Sequence, residues 1–207
     1  MVKHGQYILI HVSVSSSLHL PLLRGHIRLG AYRFLSLSLP WYPPYSRIVE
    51  TLRRDSSSLF LDLGCCIAQE LRFLASEGVP STQLLGADLD PSFFDLGYNL
   101  FCDRETFKAD LMRANILDDL EKSDIGKYEG KISFIFVGAF LHLFSWENQI
   151  VALSHIIHLL RPESGVMVLG RQVGNINPGH YTRKSVPDRN FHHDVGTFKE
   201  LWMQVGR

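Results

Sequence analysis

Hydrophobic positions along this chain alternate between short continuous apolar runs and longer stretches where apolar residues recur every three or four positions. Runs of the first kind read as buried parallel strands, and stretches of the second kind as helices with one apolar face. Residues 59–63, 83–87, 111–114, 132–137 and 166–169 are the five strand candidates. Between them, residues 45–54 read as a helix with Ile48, Val49 and Leu52 on one side, and a second helix runs from Gly64 to about Glu77 with Ile67, Leu71, Leu74 and Ala75 inward. Gly78 and Pro80 stop it. Asp90-Pro91 opens a third helix with a capping carboxylate and a proline at the first helical position, and this helix presents Phe94, Leu96 and Phe101 to the core. Ser145 caps a fourth, in which Trp146, Ile150, Leu153, Ile157 and Leu160 recur until Arg161-Pro162 ends it. A polar loop from Arg171 to about Asn190 leads to a last helix over residues 197–204.

Strand and helix in this order predict an α/β fold, a Rossmann-like doubly wound parallel sheet with helices on both faces. With 207 residues, 45% of them hydrophobic, the chain is long enough for one sizeable core. Residues 1–31 are set apart as a segment of uncertain structure, with the domain over 32–207 and an irregular entry at Pro40, Pro43 and Pro44. Within the first segment, Tyr7–Val14 reads as a strand or as a poor signal-peptide core, interrupted by His11 and followed by Ser15-Ser16-Ser17. No apolar run has the length of a membrane span.

Candidate chemistry gathers at two strand ends. Leu59 to Leu63 runs into a tight turn at Gly64, with Asp62 inside the strand, and the second strand ends in Asp88, placed to take the two hydroxyls of a ribose. A dinucleotide fingerprint needs three glycines to approach a pyrophosphate. Here Cys66 and Gln69 stand where the second and third would be, so a phosphate-bearing cofactor such as NAD is disfavoured and S-adenosylmethionine, which has a ribose and no phosphate, fits the turn. Lys plus Arg and Asp plus Glu both number 21, so no net charge steers the chain to nucleic acid or an anionic membrane. Three cysteines, two of them adjacent, fit a reducing compartment, with the cytoplasm as default.

Several separated motifs carry a more specific signal: Asp62-Leu63-Gly64-Cys65-Cys66, Asp88-Leu89, Leu96-Gly97-Tyr98, Leu141-His142-Leu143-Phe144 with Trp146, Leu159-Leu160-Arg161-Pro162 and Gly170-Arg171-Gln172-Val173-Gly174-Asn175. In this order they resemble the small methyltransferases of fungal meroterpenoid biosynthesis, of the austinol, terretonin and andrastin type. The resemblance implies the class I S-adenosylmethionine-dependent methyltransferase fold and O-methylation of the carboxyl group of a prenylated polyketide intermediate. It implies that Asp62 and Gly64 sit by the methionine portion of the cofactor, Asp88 takes the ribose, Leu89 packs on the adenine, and Asn115 and Ile116 flank its amino group. His142 and Arg171 become the catalytic candidates, positioning the substrate. A small-molecule polyketide-terpenoid substrate, no nucleic acid, no stable membrane insertion and a homodimer complete what it implies. Ala68 replaces the family's glycine, and the chain stops at Arg207, ahead of the last two strands of that fold, so a C-terminally truncated domain is expected.

Plainer readings stand beside these. Asp62 is a candidate cap for the following helix, and Cys65 and Cys66 read as small core fillers. His192-His193-Asp194 looks like a metal cluster, although adjacent histidines in a strand face opposite ways. Tyr181, Arg183, Lys184 and Arg189 form a solvated loop or a lid over an acidic substrate. His142 reads equally as substrate-facing or as buried and hydrogen-bonded. The alternative for the whole chain is a catalytically silent, truncated Rossmann-like protein.

Overall fold

In the computed structural model, residues 7–14, 37–182 and 189–205 are described. The parallel strands are β1 (Tyr7–Val14), β2 (Phe60–Leu63), β3 (Leu84–Asp88), β4 (Asp110–Arg113), β5 (Phe134–Gly138) and β6 (Met167–Gly174). They form one sheet in the order β1-β6-β5-β2-β3-β4, every neighbouring pair parallel. The helices are α1 (Tyr45–Arg54), α2 (Gln69–Ser76), α3 (Ser92–Phe101), α4 (Trp146–Leu159) and α5 (Val195–Val205). An antiparallel hairpin of β7 (Gly179–Thr182) and β8 (Arg189–His192) stands apart from the sheet.

Because successive residues of a strand point to opposite faces, the sheet feeds two cores. Phe60, Leu84, Phe134, Phe136 and Leu169 pack with α1, α2 and α3. Leu61, Leu63, Leu85, Ile135 and Val168 pack with α4 and α5. Strands buried on both sides are continuous apolar runs, which is why these were legible in the sequence.

The structure departs from the sequence pattern in identifiable places. Tyr7–Val14 is a strand, paired in register with Met167 to Gly174, so it joins the same sheet as the rest of the domain. The strand expected at 166–169 runs on to Gly174 because β1 lines its outer edge. The expected polar loop from Arg171 to about Asn190 therefore holds the end of β6 and the β7–β8 hairpin. On α3 the inner residues are Phe93, Phe94 and Gly97, whereas Leu96 and Phe101 are exposed. The helix packs through Gly97, where an added Cβ would stand 2.8 Å from the Ile67 carbonyl oxygen. On α4 the buried face is Gln149, Ala152, Leu153, Ile156 and Leu159, one residue round from the expected stripe. Buried Gln149 causes this rotation to be missed: its amide donates to the carbonyls of Phe144 and Phe191, so a polar residue sits on the inner face.

A buried arginine locks α3 to α2. Arg72 pairs with Asp103 at 2.7 Å, donates to the Ile67 carbonyl, and lies under the rings of Tyr98, Phe101 and Phe107. Removing one partner of such a pair leaves an uncompensated buried charge, at a cost of about 3–5 kcal/mol.

Among the described residues, four other than glycine adopt positive φ: Cys66, Ala68, Cys102 and Ala139. Three of them lie in the turns that follow β2 and β5, where the chain must reverse tightly at the carboxyl edge of the sheet. The fourth, Cys102, ends α3 in the left-handed conformation and is exposed. For an L-residue that conformation costs about 1–2 kcal/mol, which glycine avoids. Cys102→Gly is therefore expected to stabilise the fold by about 1 kcal/mol in urea denaturation. Ala68 has the same backbone but is fully buried. Ala68→Gly loses a methyl group worth roughly 0.8 kcal/mol of burial and gains unfolded-state entropy, so it should leave stability within about 1 kcal/mol of the parent.

His193 is buried between Gln149 Oε1, 3.1 Å from Nε2, and Thr197 Oγ1, 3.2 Å from Nδ1. Both hydrogens of the Gln149 amide are spent on carbonyls, so the imidazole donates from Nε2. Burial pulls the His193 pKa down from 6.5 to about 4, with His192 adding to the effect and Asp194 opposing it. The unfolded chain thus takes up the proton first. Stability is complete above pH 6.5 and falls as pH drops toward 4, by up to roughly 3 kcal/mol. His193→Gln should flatten that part of the stability-versus-pH curve measured by denaturation.

Candidate functional site

The strand order reverses between β2 and β5, and in open α/β sheets ligands bind outside the carboxyl ends at such a point. β2 runs into Gly64 at φ +74°, and the amides of Gly64 and Cys65 both donate to the Ala87 carbonyl, at 2.8 and 3.2 Å, folding the turn over the end of β3. A Cβ on Gly64 would lie 2.8 Å from Phe140 Cδ2. Glycine is needed here for its φ and also for the room, which the Phe140 ring occupies.

Asp88 closes β3 and holds the turn from the other side. Its Oδ2 accepts the Cys66 amide at 2.8 Å and its Oδ1 the Asp90 amide at 3.1 Å. Each carboxylate oxygen keeps a further lone pair, and the side chain is half-buried. Leu89 beside it is 63% exposed. The Asp88 carbonyl accepts the Ala114 amide at 3.0 Å, which brings Asn115 alongside. Asn115 Oδ1 accepts the Leu117 amide at 3.2 Å and its Nδ2 donates to Asp118 at 2.9 Å. Ile116 is buried in the core, its carbonyl 2.8 Å from His155 Nδ1.

Asp62 is buried on β2, and α2 starts seven residues later with no side-chain cap, so the capping reading of Asp62 fails. Burial, then Asp62 and Asp88, push the Cys65 thiol well up. That removes it as a nucleophile, and both cysteines of the turn are free thiols. Gly64, Asp88, Leu89 and Asn115 thus follow or close β2, β3 and β4 at one edge of the sheet, with Asp62 buried just before the turn, so that a diol could bond Asp88, an apolar ring could lie on Leu89 and an amino group could reach Asn115. That donor set fits S-adenosylmethionine.

His142 and Arg171 reach the same edge in separate surroundings. His142 lies in a 3₁₀ turn, Leu141–Leu143, buried with its ring 6.1 Å from that of His192, on which Tyr181 stacks at 4.7 Å. Arg171 is exposed on β6, its carbonyl accepting the Ala139 amide at 2.6 Å and its guanidinium within electrostatic reach of Tyr42. No group of three metal-ligating residues forms among the described residues, and His193 is spent on Gln149 and Thr197. Of the basic loop, Arg183 and Lys184 lie outside the described residues.

Three residues near the crevice carried no signal in the hydrophobic pattern. Tyr42 packs edge-on against Phe136 at 6.0 Å, and burial pushes its phenol up to about 12, opposed by Arg171 and assisted by Glu70. Glu70, buried in the first turn of α2, accepts from the backbone of Ser38 and Leu39. Phe140 follows the left-handed Ala139. An acidic residue in the first turn of a predicted helix was the available cue for Glu70. A cleft of about 480 Å³ lies along α1 and the end of α2, lined by Tyr45, Arg53 and Glu77, and borders none of these groups.

No family model matches the chain. It is 42% identical over 178 residues to O-methyltransferase phiE of a fungal species, covering 86% of this chain and 58% of that protein. It is 36% identical over 178 residues to the asnovolin E/chermesin D methyltransferase nvfJ of Aspergillus novofumigatus, covering 86% of this chain and 63% of that protein. The chain thus spans between about half and three fifths of these relatives' length. Among solved structures it resembles an amino pentose methyltransferase of Micromonospora echinaspora with S-adenosylmethionine bound, at TM-score 0.56, 15% identity and 91% coverage of both chains. A second is an S-adenosylmethionine-dependent methyltransferase of Archaeoglobus fulgidus, at TM-score 0.52, 14% identity, and 88% and 74% coverage of this chain and that one. The chain is a homologue of these fungal methyltransferases, built on the fold of S-adenosylmethionine-dependent methyltransferases.

Proposed function

We propose that this chain binds S-adenosylmethionine and serves O-methylation of the carboxyl group of an apolar polyketide-terpenoid acid. The observation that carries the reading is Asp88, a half-buried carboxylate tied to the Gly64 turn with lone pairs left for two hydroxyls. Leu89 and Asn115 extend the same surface toward an adenine, with Ile116 fixing the position of Asn115 from the core. When bound, the cofactor supplies an electrophilic methyl group on its sulfonium.

A substrate carboxyl group with an ordinary pKa near 4 is ionised at neutral pH, so no side chain has to take a proton. The protein's task is alignment and exclusion of water. Arg171, exposed on β6 at the crevice, is the cation that would hold the carboxylate, and His142 with His192 and Tyr181 forms a wall beyond β5. Exposed Leu143 and Ile176 follow the ends of β5 and β6, exposed Trp41 lies in the 3₁₀ turn before α1, and all three suit a substrate with an apolar body. No helix among the described residues is long and apolar enough to cross a membrane. A homodimer acting in the cytoplasm accompanies this reading.

One observation favours a second reading, a catalytically silent homologue: the Phe140 ring fills the room beside Gly64 where the methionine portion would pass. Calorimetric titration with S-adenosylhomocysteine separates the two, since the silent homologue gives no heat of binding.

Asp88→Ala is expected to raise the dissociation constant for S-adenosylhomocysteine by an order of magnitude or more, at about 1.5–3 kcal/mol for each charge-assisted bond lost. Because Asp88 also holds the Cys66 and Asp90 amides, the same variant should lose about 1–3 kcal/mol of stability while keeping its circular dichroism. Unchanged affinity in the folded variant removes Asp88 from the site. His142→Gln should retain most of the methyl-transfer rate, assayed with labelled cofactor on a panel of prenylated aromatic acids. A loss of several orders of magnitude with substrate still bound points instead to proton abstraction from a phenol or alcohol.

A further inference from the structure

Residues 37–44 form a strap ahead of α1, held against the start of α2 and the Phe136 ring of β5. They contain a 3₁₀ turn, Leu39–Trp41, and three prolines, Pro40, Pro43 and Pro44, which limit the conformations open to the segment. The strap is pinned at one point. Glu70, only 3% exposed, accepts the Ser38 amide at 2.7 Å, the Ser38 hydroxyl at 2.9 Å and the Leu39 amide at 3.2 Å. All three partners are donors, which matches a carboxylate and mismatches an amide.

The pin joins two parts of the crevice. Glu70 is the second residue of α2, the helix that starts directly after the Gly64 to Ala68 turn, so the strap is fastened to the element that shapes that turn. Downstream of the pin, Tyr42 packs edge-on against Phe136 of β5 and its phenol shares an electrostatic neighbourhood with Arg171 of β6 and with Glu70. Trp41, between them, projects to solvent, 85% exposed, with its indole nitrogen bonded to the Leu37 carbonyl at 3.1 Å.

We infer that Glu70 is a positioning residue: it seats the strap over the strand ends so that Tyr42 becomes a fixed wall of the cofactor crevice opposite Arg171. The inference rests on the proposed cofactor reading. Glu70 touches no reacting atom; it sets the fraction of molecules whose wall is in place. Where that fraction falls, apparent affinity falls in proportion.

The test combines hydrogen–deuterium exchange with calorimetry of S-adenosylhomocysteine binding, on the full 207-residue chain. Glu70→Gln keeps the side-chain volume but turns an NH₂ group toward the donors. The amides of Ser38 and Leu39 should then exchange about tenfold faster or more, the β2 and β3 amides should be unchanged, and the dissociation constant should rise about tenfold. Tyr42→Ala should reproduce the affinity loss while the Ser38 and Leu39 amides stay protected. If Glu70→Gln fails to fold, Ser38→Ala removes one of the three donors and should give both changes at smaller size. A loosened strap with unchanged affinity overturns the inference, as does lost affinity with the strap still protected, or wild-type affinity in Tyr42→Ala. A parent chain that binds no S-adenosylhomocysteine overturns both the inference and the cofactor reading, which separates the two failures.

Discussion

One hydrogen bond organises the functional edge of this protein: the Cys66 amide donates to the Asp88 carboxylate across 2.8 Å. It ties the turn after β2 to the end of β3, two strands that are neighbours in the sheet but separated by a helix in sequence. The turn needs such a tie because its backbone is unfavourable on its own, with Gly64, Cys66 and Ala68 all at positive φ. Strain of this kind persists where the surroundings over-determine it. Here the amides of Gly64 and Cys65 on the Ala87 carbonyl and that of Cys66 on Asp88 do so. The group expected to recognise a ligand is thus also the group that builds the site, and its charge is already half-committed before any ligand arrives.

A second carboxylate repeats the logic one turn further along. Glu70 gathers three donors from the strap as Asp88 gathers two from the turns beside it. Both use side-chain oxygens to satisfy backbone amides that no helix or sheet ladder reaches, which is what buried backbone polarity demands. Between them they tie the strap to α2 and the turn after β2 to the end of β3. On the far side of the sheet, Gln149 and His193 play the corresponding part for the β7–β8 hairpin and α5.

Legibility in the sequence followed the physics of burial. Strands buried on both faces announce themselves as unbroken apolar runs, so the central strands β2, β3, β5 and β6 and their alternation with helices were readable, as was Asp88 at a strand end. Helix faces were less readable where packing is made by something other than a large apolar side chain: Gly97 brings α3 against the Ile67 carbonyl, and buried Gln149 turns α4 by a residue. Residues 7–14 read as a strand or as a poor signal-peptide core because an edge strand's pattern carries no mark of its distant partner, β6. Glu70, Tyr42 and Phe140 were silent for the same reason, their roles being set by contacts roughly thirty to ninety-five residues away in sequence. Spacing cannot encode such contacts without the fold.

The different partners of His142 and Arg171 bear on the chemistry. A general base must stand within hydrogen-bond reach of the proton it removes, and a positioning cation must stand by the anion it holds. Arg171 shares its surroundings with Tyr42 on the strap side, whereas His142 is buried against His192 of the hairpin. An already ionised carboxylate needs only the anchor, and the imidazole can then serve the shape of the pocket through its packing on the hairpin. An exposed arginine on β6 and an aromatic cluster at the hairpin are the two features on which the proposed substrate, with its acidic end and apolar body, rests.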